Sequence, residues 1–279
     1  MKVIETLESA NLVLSAAFVV LLPLELLRRY RRRSLTRNVL REMAASASPL
    51  VPTLLTTAGS LAFASWVLSA ASHFAPIRIA TAWTSAAACI LLVDFLAYVE
   101  HVAAHKVRLY WAIGHSVHHS STQFDQTTGL RVSFVDGFTV PLVLVPAALV
   151  GFDPLLILTC FALTVAYQQW IHTELIGSLG AFDLIFNSPA NHRVHHGVAA
   201  ECIDRNFGSI LMIWDHVFGT YRRERHSTRP ICYGIVHPIA SWNPWTVHTA
   251  EFARLVRDVR RASSIRDALR RIVAFAPRS

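Results

Sequence analysis

IATAWTSAAACILLVDFLAYVEHVAAH, residues 79–105, decides how this chain is read. From Ile79 to Val93 it is apolar and uncharged, and the pattern continues as a helix through Asp94 to His105. A helix of about 20 apolar residues crosses the hydrocarbon core of a bilayer. His101 and His105 are four residues apart, so both imidazoles leave one helix face, with Tyr98 and Asp94 on the same stripe one and two turns earlier. The stretch therefore predicts a membrane span whose end is furnished for metal chemistry.

Working outward, Ser9–Leu24 is uncharged and is followed by seven arginines between Arg28 and Arg41. A cleaved signal peptide carries its basic residues before the apolar run, so the reversed order predicts a retained span. Met43–Ile77 holds no Asp, Glu, Lys or Arg, Gly137–Phe152 is a shorter uncharged run, and Pro154–Thr173 is a full-length one. The spans are expected near 9–27, 50–72, 79–104, 137–152 and 154–173. The last two are joined as a hairpin by Gly151-Phe152-Asp153-Pro154, and the fourth run is short enough to be re-entrant. Composition agrees: 53% of residues are hydrophobic and 16% charged, against about 25% charged in an average soluble domain, and mean hydropathy is +0.40.

The fold class expected is an all-α integral membrane protein. Residues 1–175 form four to five membrane helices with a cytoplasmic histidine-bearing segment at 101–136. Residues 176–279 form a cytoplasmic C-terminal region. Of 26 Lys and Arg residues, only Lys2 and Arg78 fall on the predicted outer side, as the positive-inside rule asks. The net charge of +8 is thus a matter of topology and excludes a nucleic-acid partner. Near the C-terminus, Phe252, Leu255, Val256, Val259, Leu269, Ile272 and Val273 alternate with arginines at helical spacing. That suits a basic amphipathic helix, lying on an anionic membrane surface or packed on its own domain. The four cysteines (Cys89, Cys160, Cys202, Cys232) are scattered without a CxxC pair, so neither a disulfide framework nor a thiolate metal site is expected.

Two HxxHH boxes follow the first pair: His115, His118 and His119, then His192, His195 and His196. On a helix their i,i+3 and i,i+4 spacings let three rings converge on one or two ions. His172 lies at the inner end of the last span. Nine imidazoles exceed the four ligands of one zinc and suit two ions with four or five ligands each. Ligand type alone does not choose among Fe, Zn, Cu and Ni. Asp94, Glu100, Glu174, Asp204 and Asp215 are candidates to receive the second N–H of the histidines. Arg131 and Arg193 are candidates for charge balance or a lipid headgroup. His73, His216, His226, His237 and His248 lack partners at ligand spacing and read as structural or surface residues. All clusters fall at the predicted inner ends of the spans, which points to a lipid substrate entering from the bilayer.

At these residues the chain resembles the sterol desaturase and fatty acid hydroxylase superfamily of membrane di-iron enzymes, whose signature is HxxxH, HxxHH, HxxHH. The resemblance runs from about Asp94 to Tyr221. Trp111-Ala-Ile-Gly-His115-Ser-Val-His118-His119, Gly129-Leu-Arg131-Val-Ser, Gln169-Trp-Ile-His172-Thr-Glu174 and Asn191-His-Arg-Val-His-His-Gly197 look most like the alkylglycerol monooxygenase branch and its bacterial relatives. Ile203-Asp-Arg-Asn206-Phe-Gly208 and Trp214-Asp215 fit too, while Lys106, Asn191 and the Thr122–Gln126 run depart from that branch.

The resemblance implies that His101, His105, His115, His118, His119, His172, His192, His195 and His196 ligate two irons, with Asp94, Glu174 and Arg131 in support. It also implies O2-dependent hydroxylation of an acyl, alkyl or sterol C–H bond, with electrons from a separate ferredoxin, cytochrome or pterin. Desaturation or methyl oxidation on the same site is the alternative within the class. Outside it stand an intramembrane zinc hydrolase, for which no HExxH is present, and a metal or haem carrier.

Overall fold

A computed structural model describes residues 2–224 and 231–274, and His226 lies outside the described residues. Among the described residues, three helical stretches are long and apolar enough to cross a membrane: Lys2–Arg31, Arg37–Ser72 and Trp83–Lys106. The first is one helix, α1 (Lys2–Arg31). The second is α2 (Arg37–Ala47) followed by α3 (Leu50–Ser72), with Pro49 at the junction. The third is α4 (Trp83–Lys106).

The short fourth run is broken into α5 (Asp136–Val143) and α6 (Val145–Val150), and the fifth is α7 (Pro154–Trp170). These last two runs are apolar but below spanning length. The expected all-helical architecture is therefore present, with no strand among the described residues beyond two isolated bridges.

The hairpin between α6 and α7 follows from its four residues. Gly151 ends α6 at φ +111°, where a Cβ would meet the Ile77 carbonyl oxygen at 2.5 Å, so only glycine fits. Asp153 caps α7 by accepting from the N–H groups of Leu155 and Leu156, and Pro154 occupies the first helical turn, where its missing N–H costs nothing.

The core joins α4, α6 and α7 around Cys89, Val93, Leu144, Ala147, Leu156, Ile157 and Cys160, all fully buried, with Leu68 of α3 against them. α1 packs along α7. The outer faces of α1 and α3 stay bare: Leu12, Leu54 and Leu55 are 75%, 72% and 81% exposed. In water such a surface would be a liability; against lipid it is the expected face of a spanning helix.

The histidines gather at one end of these helices, where buried ion pairs and hydrogen bonds tie the segments together. Glu25 near the end of α1 accepts from Gln126 N–H at 2.8 Å and from the Thr173 hydroxyl. Glu42 of α2 accepts from buried Arg131 at 2.6 Å. The histidine-bearing cap is thereby tied to the helix ends. α8 (Pro189–His195) lies within it. Two C-terminal helices follow, α9 (Pro244–Arg260) and α10 (Ile265–Val273). They divide the predicted amphipathic segment. α9 packs on the Trp111–His115 turn through a face with Val247 and Leu255 buried, whereas α10 buries none of its residues.

Candidate metal centre

The three histidine boxes are set by local helix geometry. His101 and His105 leave the last turns of α4 on one face. The chain then forms a π turn, Trp111–His115, running directly into one α turn, Ser116–His119. Such wide turns recur at functional sites. The third box lies on α8, whose Ser188 caps it by accepting from Asn191 N–H. Asn191 is buried and is used structurally, donating to the Asp183 carbonyl at 2.7 Å.

The nine rings meet as two neighbouring groups. One holds His101, His105, His115, His119 and His195; the other holds His118, His172, His192 and His196. Each HxxHH box is divided between them. The i,i+4 pair His115/His119 enters the first group and His118 the second; the pair His192/His196 enters the second and His195 the first. The division is helical arithmetic, because residues i and i+4 lie about 40° apart around the axis and i+3 lies on the other side of i. The groups abut, with the His119 and His196 rings stacked at 4.3 Å.

Within each group the Nε2 atoms face one another. His101 Nε2 lies 3.0 Å from His115 Nε2, and His119 Nε2 lies 3.1, 3.1 and 3.0 Å from those of His105, His115 and His195. In the second group His172 Nε2 is 2.9 Å from His192 Nε2 and 3.3 Å from His118 Nε2. Three outer ring nitrogens are held by carbonyls: His101 Nδ1 by Phe207 at 2.9 Å, His172 Nδ1 by Gln168 at 2.8 Å and His195 Nδ1 by Arg205 at 2.8 Å. A carbonyl only accepts, so these rings carry their proton on Nδ1 and present a bare lone pair at Nε2.

His119 has at most one proton for three neighbouring nitrogens. Buried lone pairs pointing at lone pairs are repulsive unless a cation lies among them. The spacing also fits, since two cis ligands at about 2.1 Å from one ion are about 3 Å apart.

Burial and the neighbouring imidazoles hold His115, His118, His119, His192, His195 and His196 well below the ordinary histidine range. Burial brings His172 down to about 4. At neutral pH these rings are neutral, the form that binds a metal.

The supporting residues are arranged differently from expectation. No histidine in the groups hydrogen-bonds to any of the five candidate carboxylates; the nearest approach is 3.9 Å, from His105 Nδ1 to Asp204 Oδ1. Main-chain carbonyls take that place, meeting the N–H without the cost of burying a carboxylate.

Asp94 instead accepts from Ile210 N–H at 2.8 Å and Trp214 Nε1 at 2.9 Å. Asp215 accepts from Phe207 and Gly208 N–H at 2.8 and 2.7 Å. Together they clamp the loop whose Phe207 carbonyl orients His101. Glu174 is exposed, bonded to the Tyr233 hydroxyl at 3.0 Å, and is not part of either group. Glu100 lines a cavity beside the rings.

Arg131 is spent on Glu42. Arg193 grips Glu224 with two bonds of 2.7 and 2.8 Å and donates to the carbonyls of Thr173 and Ile176, so it braces the segment bearing His172. His73, His216 and His237 are exposed and His248 is half-buried, all apart from the groups.

Residues to which the sequence assigns no individual role do much of the positioning: Gln168, Arg205 and Phe207 through their carbonyls, and Phe124 through its ring. Gln168 is four residues before His172, a helical spacing that could have been noticed. Asp204 and Asn206 adopt φ +58° and +57°, a left-handed bend that Asp and Asn tolerate better than most residues. The Asp-x-Asn spacing was the available signal for this loop.

A cavity of about 110 Å³ opens beside the rings between α4, α5 and α7. Its wall is largely apolar (Leu96, Val140, Val143, Leu144, Phe161 and Val165), and His101 and His115 of one group and His118 and His192 of the other close it.

Residues 86–220 match the fatty acid hydroxylase family. The chain is 41% identical over 175 residues to alkylglycerol monooxygenase of Danio rerio, covering 63% of this chain and 38% of that protein. It is 41% identical over 162 residues to alkylglycerol monooxygenase of Homo sapiens, covering 58% and 35%. It is 31% identical over 158 residues to ornithine lipid hydroxylase OlsE of Rhizobium tropici, covering 55% and 46%. The match spans less than half the length of each of these relatives. No solved structure matches the chain.

Proposed function

We propose, from the premise that residues 86–220 are a fatty acid hydroxylase domain, that the protein is a di-iron, O2-dependent membrane lipid hydroxylase. The observation that carries this reading is the pair of neutral imidazole groups with converging Nε2 lone pairs, set at the end of an apolar cavity. When bound, two irons supply O2 activation and attack on an unactivated C–H bond. The overall balance is R–H + O2 + 2e⁻ + 2H⁺ → R–OH + H2O, with both electrons from an external donor.

The chain's own part is to fix ligands, admit the lipid and exclude water. Leu96, Val143, Leu144 and Phe161 hold a hydrocarbon segment against the histidines. The Asp94 and Asp215 clamp sets His101, and Arg193 sets the His172 segment. We place the centre at the cytoplasmic interface of a multi-pass protein, because the arginine-rich turn after α1 lies at the same end as the histidines.

The test is untargeted lipidomics of cells with and without the gene, together with metal analysis of the purified protein. A lipid gaining one oxygen atom and about two irons per chain are expected. Zinc alone in an active preparation would overturn the reading, and a product lacking two hydrogens with no oxygen gained would replace hydroxylation by desaturation.

A further inference from the structure

Beside the second histidine group, with Phe124 between them, lies a cleft separate from the apolar cavity. The cleft, of about 110 Å³, is lined by Arg28, Arg29 and Arg32 of the α1 end, with Glu25 and Glu174 beside them and Phe124 among its walls. Phe124 is 1% exposed, and its ring lies 5.2, 5.8 and 6.0 Å from those of His196, His172 and His192. It also stacks on Tyr233 at 5.0 Å and 21°. The cleft and the apolar cavity share no lining residue.

Both carboxylates of the cleft already have donors, Glu25 from Gln126 and Thr173 and Glu174 from Tyr233. Arg29 pairs with Asp125 at 3.2 Å, whereas Arg31, Arg32 and Arg33 are exposed. The rim is therefore cationic toward solvent. Sites that swallow cofactor-sized molecules run to about 300 Å³ or more, so this one is too small to enclose a flavin or a nicotinamide dinucleotide. It suits a charged surface pressed against it.

We propose that this arginine rim docks an acidic one-electron carrier protein, and that Tyr233 and Phe124 form the contact path from the carrier to the four-histidine group. The proposal rests on the monooxygenase reading for its use. Each docked carrier is oxidised by one electron; two dockings, with two protons from water, meet the balance above. Complementary charge would set the rate and register of the encounter.

The test uses the full chain in neutral-lipid nanodiscs and an acidic [2Fe–2S] ferredoxin as probe. Binding is titrated at about 50 and about 300 mM salt, where screening lengths differ severalfold. Arg32→Glu and high salt should each weaken binding about tenfold. Phe124→Leu should keep the affinity but slow oxidation of the reduced ferredoxin, followed in the ferredoxin's own absorbance. Binding indifferent to both salt and Arg32→Glu would overturn the proposal. So would anionic-lipid nanodiscs that displace the ferredoxin completely, since the arginines would then serve the bilayer. If the ferredoxin binds and is oxidised as expected but no oxygenated lipid forms, the dock stands and the hydroxylase reading fails. If product forms with an unaltered yield in Arg32→Glu, the reading stands and the dock fails.

Discussion

The two histidine groups are built from the same boxes but are not equivalent. The five-membered group stands on the end of a long apolar helix, with His101 and His105 carried by α4. Its outer contacts run to one loop, through the carbonyls of Arg205 and Phe207. The four-membered group takes no ligand from that helix. It depends on His172, placed after α7 by the Gln168 carbonyl, by Gln126 donating to the His172 carbonyl at 2.8 Å, and by Arg193. If each group holds one ion with four imidazoles, the first has a ligand to spare and the second has none. The second also lies against the Phe124 ring. The difference teaches that repeated motifs can build two groups with unequal numbers of rings and different supports.

The largest effect is expected from His172→Ala, which leaves three imidazoles in the second group. Iron should fall from about two to about one per chain and product formation by about a thousandfold or more; retention of both ions would break the comparison. His105→Ala leaves four imidazoles in the first group, so its iron should be held more firmly than in His172→Ala, as read by chelator competition. Equal losses would mean that the surplus ligand does nothing.

Smaller again is Asp215→Asn, which loosens the loop behind His101. It should weaken metal retention in the first group about 10- to 100-fold, while Arg193→Gln should do the same to the second. Crossed effects, read by metal-specific spectroscopy, would show that the groups share one support.

The smallest effect is on pH dependence. In the metal-free protein the rings outside the membrane helices are held below the ordinary histidine value of about 6.5, and His172 at about 4. Between the folded and unfolded values the unfolded chain binds more protons, so stability rises with pH. The contribution is present above about pH 6.5 and is lost as pH falls through that window, by about 1.4 kcal/mol per pH unit per ring. Melting temperature of the metal-free protein should drop between about pH 7.5 and 5.5, and His172→Ala should make the drop shallower. A flat profile would mean the rings protonate freely.

Much of the site is legible in the sequence. The HxxxH and HxxHH spacings select the nine rings because three- and four-residue separations are helix neighbours. The role of the acidic residues was not legible. Asp94 and Asp215 lie near histidines in sequence, yet their oxygens serve backbone N–H groups of residues 207–211. A carboxylate near a ligand in sequence predicts proximity and leaves open which donor it will meet. The same holds for Arg131, whose partner Glu42 is 89 positions away, and for Phe124, which carries no metal-binding signal at all.

The sequence by itself determined the apolar helices, their arginine-rich ends and the identity of the nine imidazoles, because each of these is written in composition and in spacings shorter than two helical turns. Only the tertiary structure decided how each box is shared between two groups, which carbonyls set the tautomers and where the apolar cavity and the arginine-lined cleft lie. Those outcomes depend on contacts between residues up to a hundred or more positions apart, and such contacts leave no local periodicity to read.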